Sequence, residues 1–170
     1  MYWEDTNLAL KDPNTFLFSL KDVIYSNYTE KWKIDIYGYT KLRSFILFKT
    51  NFKLENYLVV LKDYKLKKCM SKFRLSSHDL EIDKGRYFGV PLEQRLCKFC
   101  NRKCVEDENH FLMECNYYNE IQESFFKVLR TKCMLVDPTF ENILSSNDHN
   151  VIFHVAKCIY KMFKKRNVII

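Results

Sequence analysis

The scarcity of chain-breaking residues is the feature that most constrains the fold. The 170 residues include three glycines and three prolines. Because Gly and Pro end helices and separate short strands, their rarity favours long helices over a β fold with many turns. A content of 47% hydrophobic and 16% aromatic residues is enough to bury a core. We therefore predict a mainly α protein, with residues 1–170 forming a single helical domain.

Apolar residues at helical spacing locate the expected helices. Ser26 or Asn27 can cap a helix that stops at Gly38. Spacings of three, four and seven residues mark four further helices, within residues 54–61, 66–73, 118–129 and 152–162. Asn147 or Asp148 can cap the last of them. In each helix the apolar positions fall on one face, which we expect to pack into the core.

The segment 76–90 has a different pattern. Leu80 and Ile82 alternate with acidic residues, as in a half-buried strand, and Gly85 and Gly89 permit turns. We predict a short extended piece followed by a loop.

Four residues within positions 95–116 have the spacing of a metal site. Cys97 and Cys100 are separated by two residues. After nine intervening residues comes His110, followed five positions on by Cys115. Two cysteines so spaced can hold a zinc ion from a tight turn, and the second pair closes a tetrahedron with no open position for water. We therefore predict one structural Zn²⁺ in a small zinc-binding hairpin and helix insertion at 95–116.

Alternatives remain open at this motif. Four unrelated residues could give the same spacing, because Cys is often buried and a lone pair of cysteines two apart can be redox-active. The compact window and its polar surroundings favour a metal. Cys104 is a rival ligand for Cys100 or a bystander, and its place inside the loop favours the second role. His110 and Cys115 do not share one α-helical face, so the helix must end or distort before Cys115.

The other cysteines and histidines show no ligand pattern. Cys69 and Cys158 lie in apolar stripes and are expected in the core, and Cys133 is expected to close a helix. Surface or capping roles are expected for three histidines, His78, His149 and His154. We find no Gly-rich phosphate loop, no Ser-His-Asp pattern and no paired aspartates of a polymerase, so we expect no enzymatic activity.

Positive charge is concentrated in the middle of the chain. Residues 40–104 contain sixteen basic and six acidic side chains, a net charge of +10, whereas residues 105–124 contain six acidic and no basic side chains. Such a block suits RNA or DNA, although a merely solvated lysine-rich surface explains it equally well. The candidate phosphate-binding residues are Lys62, Lys65, Lys68, Lys72, Arg74, Lys84, Arg86, Arg95, Lys98, Arg102 and Lys103. We expect Glu106, Asp107 and Glu108 at a helix start, where they would repel a phosphate backbone.

Several short runs in the chain resemble a known family. They are Lys41-Leu42-Arg43, Phe48-Lys49-Thr50, Ser71-Lys72-Phe73-Arg74, Leu80-Glu81-Ile82, Gly85-Arg86-Tyr87, Gly89-Val90-Pro91, Glu93-Gln94-Arg95-Leu96-Cys97 and Glu106-Asp107-Glu108-Asn109-His110-Phe111-Leu112. Together they resemble the C-terminal region of LINE-type (non-LTR) retrotransposon reverse transcriptases, including its CCHC zinc-binding motif, most closely over residues 41–115.

The resemblance implies a segment that follows the polymerase domain, binds zinc, and helps hold template RNA or target DNA during target-primed reverse transcription. It assigns the ligand roles to Cys97, Cys100, His110 and Cys115. Asn116 stands where family members often have Pro, and the polymerase and endonuclease domains are missing. The expectation is a fragment, a degenerate copy or a stand-alone module that binds without synthesis.

Two functions are therefore weighed, a zinc-stabilised nucleic-acid-binding module and a zinc-stapled protein-interaction or scaffold domain. The acidic start at residues 1–5 does not resemble a secretory signal, and no run of about 18 apolar residues predicts a membrane span. Seven cysteines, an odd number, fit a disulfide framework poorly. We expect an intracellular protein, nuclear or cytoplasmic, with no membrane partner.

Overall fold

The computed structural model describes residues 12–167. The chain divides into two compact units, Met1–Thr40 and Lys41–Ile170, although the sequence suggested no boundary. Segment 1–5, which entered the expectation of an intracellular protein, lies outside the described residues.

The first unit consists, in its described part, mainly of helix α1, Pro13–Gly38. The helix begins twelve or more residues before the predicted caps, because Asp12 accepts a hydrogen bond from the Asn14 amide at 3.0 Å and Pro13 occupies the first turn. Its end at Gly38 is as predicted. Large apolar side chains of α1 are exposed, among them Phe18 and Ile34.

The second unit contains seven further α-helices within the described residues. They are α2 (Phe45–Phe48), α3 (Asn56–Val60), α4 (Tyr64–Arg74), α5 (Glu81–Tyr87), α6 (Asn119–Lys132), α7 (Phe140–Ser145) and α8 (His149–Asn167). Single turns of 3₁₀-helix occur at Thr40–Leu42, Leu92–Gln94 and Asn116–Tyr118, and a π-helical turn occurs at His110–Glu114. Within residues 12–167 extended pairing is limited to one isolated antiparallel bridge, between Leu96 and Val105. The predicted mainly α class is confirmed.

Helix α8 is the central element of this unit. It packs against α3, α4, α6 and α7. The Asp148 carboxylate accepts hydrogen bonds from the amides of Asn150 and Val151, so the predicted cap is confirmed. The predicted inward face is also buried, including Ile159 and Met162. No helix between residues 12 and 167 has the length and apolar character needed to cross a lipid bilayer.

Helix α5 corrects the prediction of an extended piece and a loop at 76–90. Its first amides are capped by a residue far along the chain. The Glu81 amide donates to the Glu106 carboxylate at 2.9 Å, and the Ile82 amide donates to the Glu106 carbonyl at 3.2 Å. Gly85 lies inside the helix rather than in a turn. A Cβ there would come within 2.6 Å of the Arg95 side chain, so the glycine allows Arg95 to cross the helix closely.

Candidate functional site

A short hairpin presents the first pair of candidate ligands. The bridge between Leu96 and Val105 is flanked by two backbone hydrogen bonds of 2.9 Å, from the Cys97 amide to the Cys104 carbonyl and from the Glu106 amide to the Arg95 carbonyl. The tip of the hairpin carries Cys100. Backbone pairing therefore places Cys97, and the loop that this pairing closes carries Cys100.

The second pair comes from the π-helical turn. The Cys115 amide donates to the His110 carbonyl at 2.8 Å, a bond that spans five residues instead of the four of an α-helix. This wider turn brings His110 and Cys115 onto one face, which confirms the predicted distortion before Cys115. The Asp107 carboxylate caps the turn by accepting from the His110 amide at 2.8 Å. Buried Gln122 donates to the Phe111 carbonyl at 3.5 Å and the Leu112 carbonyl at 3.2 Å.

Cys97, Cys100, His110 and Cys115 converge into a group that could hold a metal ion. Their ligand atoms all lie within 4.8 Å of one another. The Sγ atoms of Cys97 and Cys115 are 3.8 Å apart, and Cys100 Sγ lies 3.4 Å from His110 Nε2. Metal–sulfur bonds of about 2.3 Å and metal–nitrogen bonds of about 2.0 Å at tetrahedral angles require separations of about 3.8 Å and 3.5 Å. These two separations therefore match those of a tetrahedral site with protein ligands.

Cys104 lies beside this cluster, on the other nitrogen of the imidazole. Its Sγ is 3.3 Å from His110 Nδ1 and 3.8 Å from Nε2, and the Glu114 carboxylate also approaches Nδ1, at 3.7 Å. A ligating histidine usually directs its second ring N–H to an outer partner that sets its tautomer and orientation. The geometry gives Cys104 and Glu114 this supporting position and leaves Nε2 for the metal.

Two thiols of the cluster, Cys97 and Cys115, have pKa values shifted in opposite directions. The hydrogen bond between Cys97 and Cys115 lowers the pKa of Cys97 and raises the pKa of Cys115. Burial raises the pKa of Cys69 to about 11 and that of Cys158 to about 12. Cys158 is buried in the core, as predicted, whereas Cys69 is only half-buried.

Glu106 ties the cluster to the end of α8. Its carboxylate lies 3.6 Å from Cys97 Sγ and pairs with the Arg166 guanidinium, with Nη2 to Oε2 at 2.9 Å. Arg166 also donates to the Asp79 carbonyl at 3.0 Å and lies 4.3 Å above the Phe99 ring, one residue before Cys100. Both charged groups are almost fully buried. Sequence reasoning missed this pair, since nothing in the local pattern links positions 60 residues apart.

Glu108 is likewise buried, and it corrects the picture of an exposed acidic turn. It accepts hydrogen bonds from Ser44 at 2.6 Å, from His78 Nε2 at 2.9 Å and from Ser76. Burial raises the pKa of Glu108, but the contacts with His78 and the two hydroxyls outweigh it and lower the pKa to about 2. The prediction of surface repulsion therefore fails for Glu106 and Glu108, and His78 is an internal partner rather than a surface or capping residue.

The structure separates the predicted phosphate-binding residues into two groups. Four lysines on or beside α4 are exposed, namely Lys62, Lys65, Lys68 and Lys72. Arg74 is wrong as a phosphate contact, because it is 4% exposed, pairs with Glu55 and donates to the Leu144 carbonyl at 2.6 Å. A buried arginine whose charge is paired inside the protein is not available to a phosphate.

Of the six other candidates, at positions 84–103, three have protein partners. Arg95 donates to the carbonyls of Val90 and Ile82 at 2.9 and 3.0 Å. Arg86 pairs with Asp83 at 2.6 Å, and Lys98 pairs with Glu81 at 3.0 Å. Lys98 stays 71% exposed despite its ion pair, and Lys84, Arg102 and Lys103 are partly or fully exposed. The α4 lysines differ in lying together on and beside one helix.

Comparison with known proteins adds nothing to this assignment. No protein-family model matches the chain, and no similar curated protein or solved structure was found.

Proposed function

We propose that this chain is a zinc-stabilised nucleic-acid-binding module, in which the metal holds the fold and the lysine face of α4 meets phosphates. The main observation in support of this function is that Lys65, Lys68 and Lys72 are exposed on one helix and take part in no ion pair among residues 12–167. Among the other basic side chains of the unit, those with acidic partners are Arg43, Lys49, Arg74, Arg86, Lys98 and Arg166. Unpaired, aligned lysines are the electrostatic footprint of a polyanion site.

Zinc is the proposed metal. Three thiolates and one imidazole at tetrahedral spacing suit Zn²⁺, and a site closed by four protein ligands supplies folding free energy rather than catalysis. The closed donor set supports binding rather than an enzymatic role. The resemblance to the C-terminal region of LINE-type reverse transcriptases agrees with this proposal and suggests RNA or DNA as the partner.

A second candidate is a protein-interaction domain, and one observation favours it. Helix α1 exposes large apolar side chains along its length, including Leu17, Tyr28 and Tyr37. Exposed apolar surface of this extent is typical of an interface. In that case the lysines would be ordinary solvent-exposed residues with no bound partner.

Salt dependence distinguishes the two functions. Wild-type protein with verified zinc content would be titrated with labelled RNA and DNA oligonucleotides by fluorescence anisotropy at several salt concentrations. Each neutralised phosphate contributes about 0.9 to the log–log salt slope on duplex DNA and about 0.7 on a single strand. The Lys65→Gln/Lys68→Gln/Lys72→Gln variant should therefore flatten the slope by roughly two to three units, nearly uniformly across sequences.

A matched control exists on α6, where Lys127, Arg130 and Lys132 are also exposed. Replacing these three with Gln removes the same charge from another surface and should leave the slope nearly unchanged. The nucleic-acid function fails if wild type shows no binding at low salt, or if the α4 variant keeps the wild-type slope.

A further inference from the structure

A groove between α4 and α8 combines positive charge with aromatic rings. It encloses about 560 Å³. Lysines line it from both helices, with Lys65, Lys68 and Lys72 on α4 and Lys164 on α8. Asp79 is the one acidic side chain among its lining residues. The lysine face of α4 therefore continues across the groove onto α8, which the sequence-based selection of basic residues did not include.

Aromatic side chains lie among these lysines. Tyr64 is 71% exposed, and Lys68 Nζ lies 5.8 Å from the centre of its ring. Tyr160 and Phe163 line the opposite wall from α8 and are half-buried. The ring of Phe163 is packed against Phe111 at 4.7 Å between centroids, so it anchors the wall to the core. Tyr64 and Tyr160 are the rings left available to a ligand.

We propose that this groove binds single-stranded nucleic acid, with phosphates at the four lysines and unpaired bases stacked on Tyr64 and Tyr160. This inference rests on the proposed function and specifies its site and its substrate class. Grooves that bind single strands combine a positive track for the backbone with aromatic faces on which bases stack. In a duplex the base faces are already stacked, so the two tyrosines would gain nothing from it.

An acidic peptide is the competing occupant, and the rings argue against it. Carboxylates need only the lysines, whereas ring faces beside cations suit a ligand that alternates charged and flat apolar groups. A nucleic acid strand has this alternation in every nucleotide.

The experiment compares variants of the groove with matched controls on the same elements. Tyr64→Leu removes an exposed ring at little risk to folding and should weaken binding to a single-stranded 12-mer by about fivefold to a hundredfold, the range expected for one stacked base. Tyr160→Leu should act similarly, whereas Tyr160→Phe keeps the ring and should bind like wild type. Binding of a duplex 12-mer should be changed by less than twofold in all three.

Lysine variants test whether the phosphate backbone contacts lysines on both α4 and α8. Lys164→Gln should flatten the single-strand salt slope by about 0.7, whereas Lys161→Gln, on an exposed position of α8 outside the groove, should leave it unchanged. Poly-glutamate should fail to displace the oligonucleotide at equal charge concentration.

The outcomes separate failure of this inference from failure of the proposed function. If wild type binds oligonucleotides but Tyr64→Leu and Lys164→Gln bind as wild type does, the module binds elsewhere and the groove assignment is overturned. Duplex affinity equal to single-strand affinity, or competition by poly-glutamate, would also overturn it. Absence of any wild-type binding at low salt overturns both proposals.

Discussion

Cys100 and Cys104 have the same chemistry, and only their positions around His110 separate a ligand from a supporting residue. Cys100 faces Nε2 at 3.4 Å, while Cys104 faces Nδ1 at 3.3 Å. An imidazole nitrogen that binds a metal cannot donate a proton, so the two sulfurs have different roles. The assignment therefore depends on one ring orientation, and it can be tested by substitution.

We expect that Cys97→Ser, Cys100→Ser, His110→Ala and Cys115→Ser each lose the bound zinc, because each removes one of four ligands. Cys104→Ser should retain one zinc per chain, with affinity lowered by at most about 10- to 100-fold, as for other outer-shell residues. Elemental analysis of the purified variants measures the stoichiometry. A zinc-free Cys104→Ser protein together with a loaded Cys100→Ser protein would reverse the assignment.

The buried pair of Glu106 and Arg166 makes a second prediction for single residues. Arg166→Met leaves a buried carboxylate without its partner, and losses of about 3–5 kcal/mol are typical when one member of such a pair is removed. The double variant Glu106→Gln/Arg166→Met should recover part of this loss, because no charge is left uncompensated. Urea unfolding of wild type, both single variants and the double variant would measure the coupling. Additive effects would mean that the two groups do not interact.

At the level of elements, the π-helical turn joins the metal site to the helical core. Its wide turn places His110 and Cys115 on one face, and its residues Phe111 and Leu112 are buried in the core. The end carbonyls of this turn have their partner in α6, through Gln122. The metal site is therefore supported by a side chain outside the 95–116 motif.

Gln122→Leu should destabilise the protein by about 1–3 kcal/mol, because two buried carbonyls lose their donor. Zinc affinity should fall with it, since the turn that carries two ligands is no longer held. Glu123→Leu, on the exposed side of α6, is the matched control and should change stability by no more than about 0.5 kcal/mol. Thermal unfolding and competition with a zinc indicator give the two readouts. Equal effects of the two variants would contradict the role of Gln122.

For the second unit as a whole, the metal site and the groove are linked through α8. Arg166 holds the last turn of α8 against Glu106, beside Cys97, while Tyr160 and Lys164 on the same helix line the groove. Loss of a metal from this site would therefore loosen the α8 wall of the groove, although the site itself does not line the groove. In the proposed function, the segment 95–116 therefore supports nucleic-acid binding through α8, without contacting phosphates itself.

Removal of zinc by a chelator should lower the melting temperature and increase amide hydrogen exchange at 95–116 and 160–167, because structural zinc contributes folding free energy. Amides of 149–156, at the other end of α8, should keep more of the protection against exchange that they have in the zinc-loaded protein. Single-strand affinity should fall in parallel and return when zinc is restored. A melting curve that does not change after verified metal removal would contradict the structural role.

The sequence by itself determined the helical class, the four converging ligands, and the cap and inward face of α8. Each depends on residues close together in the chain, where backbone geometry translates spacing directly into position. The tertiary structure alone decided that 81–87 is a helix, that Glu106, Glu108 and Arg74 are internal, and that Lys164 and Tyr160 join the α4 lysines. These outcomes depend on partners 19 or more positions away, such as Glu55 for Arg74 and Arg166 for Glu106. The local sequence pattern does not reveal such partners. Burial of a charge is favourable only when the fold supplies its counter-charge, and that residue lies elsewhere in the chain.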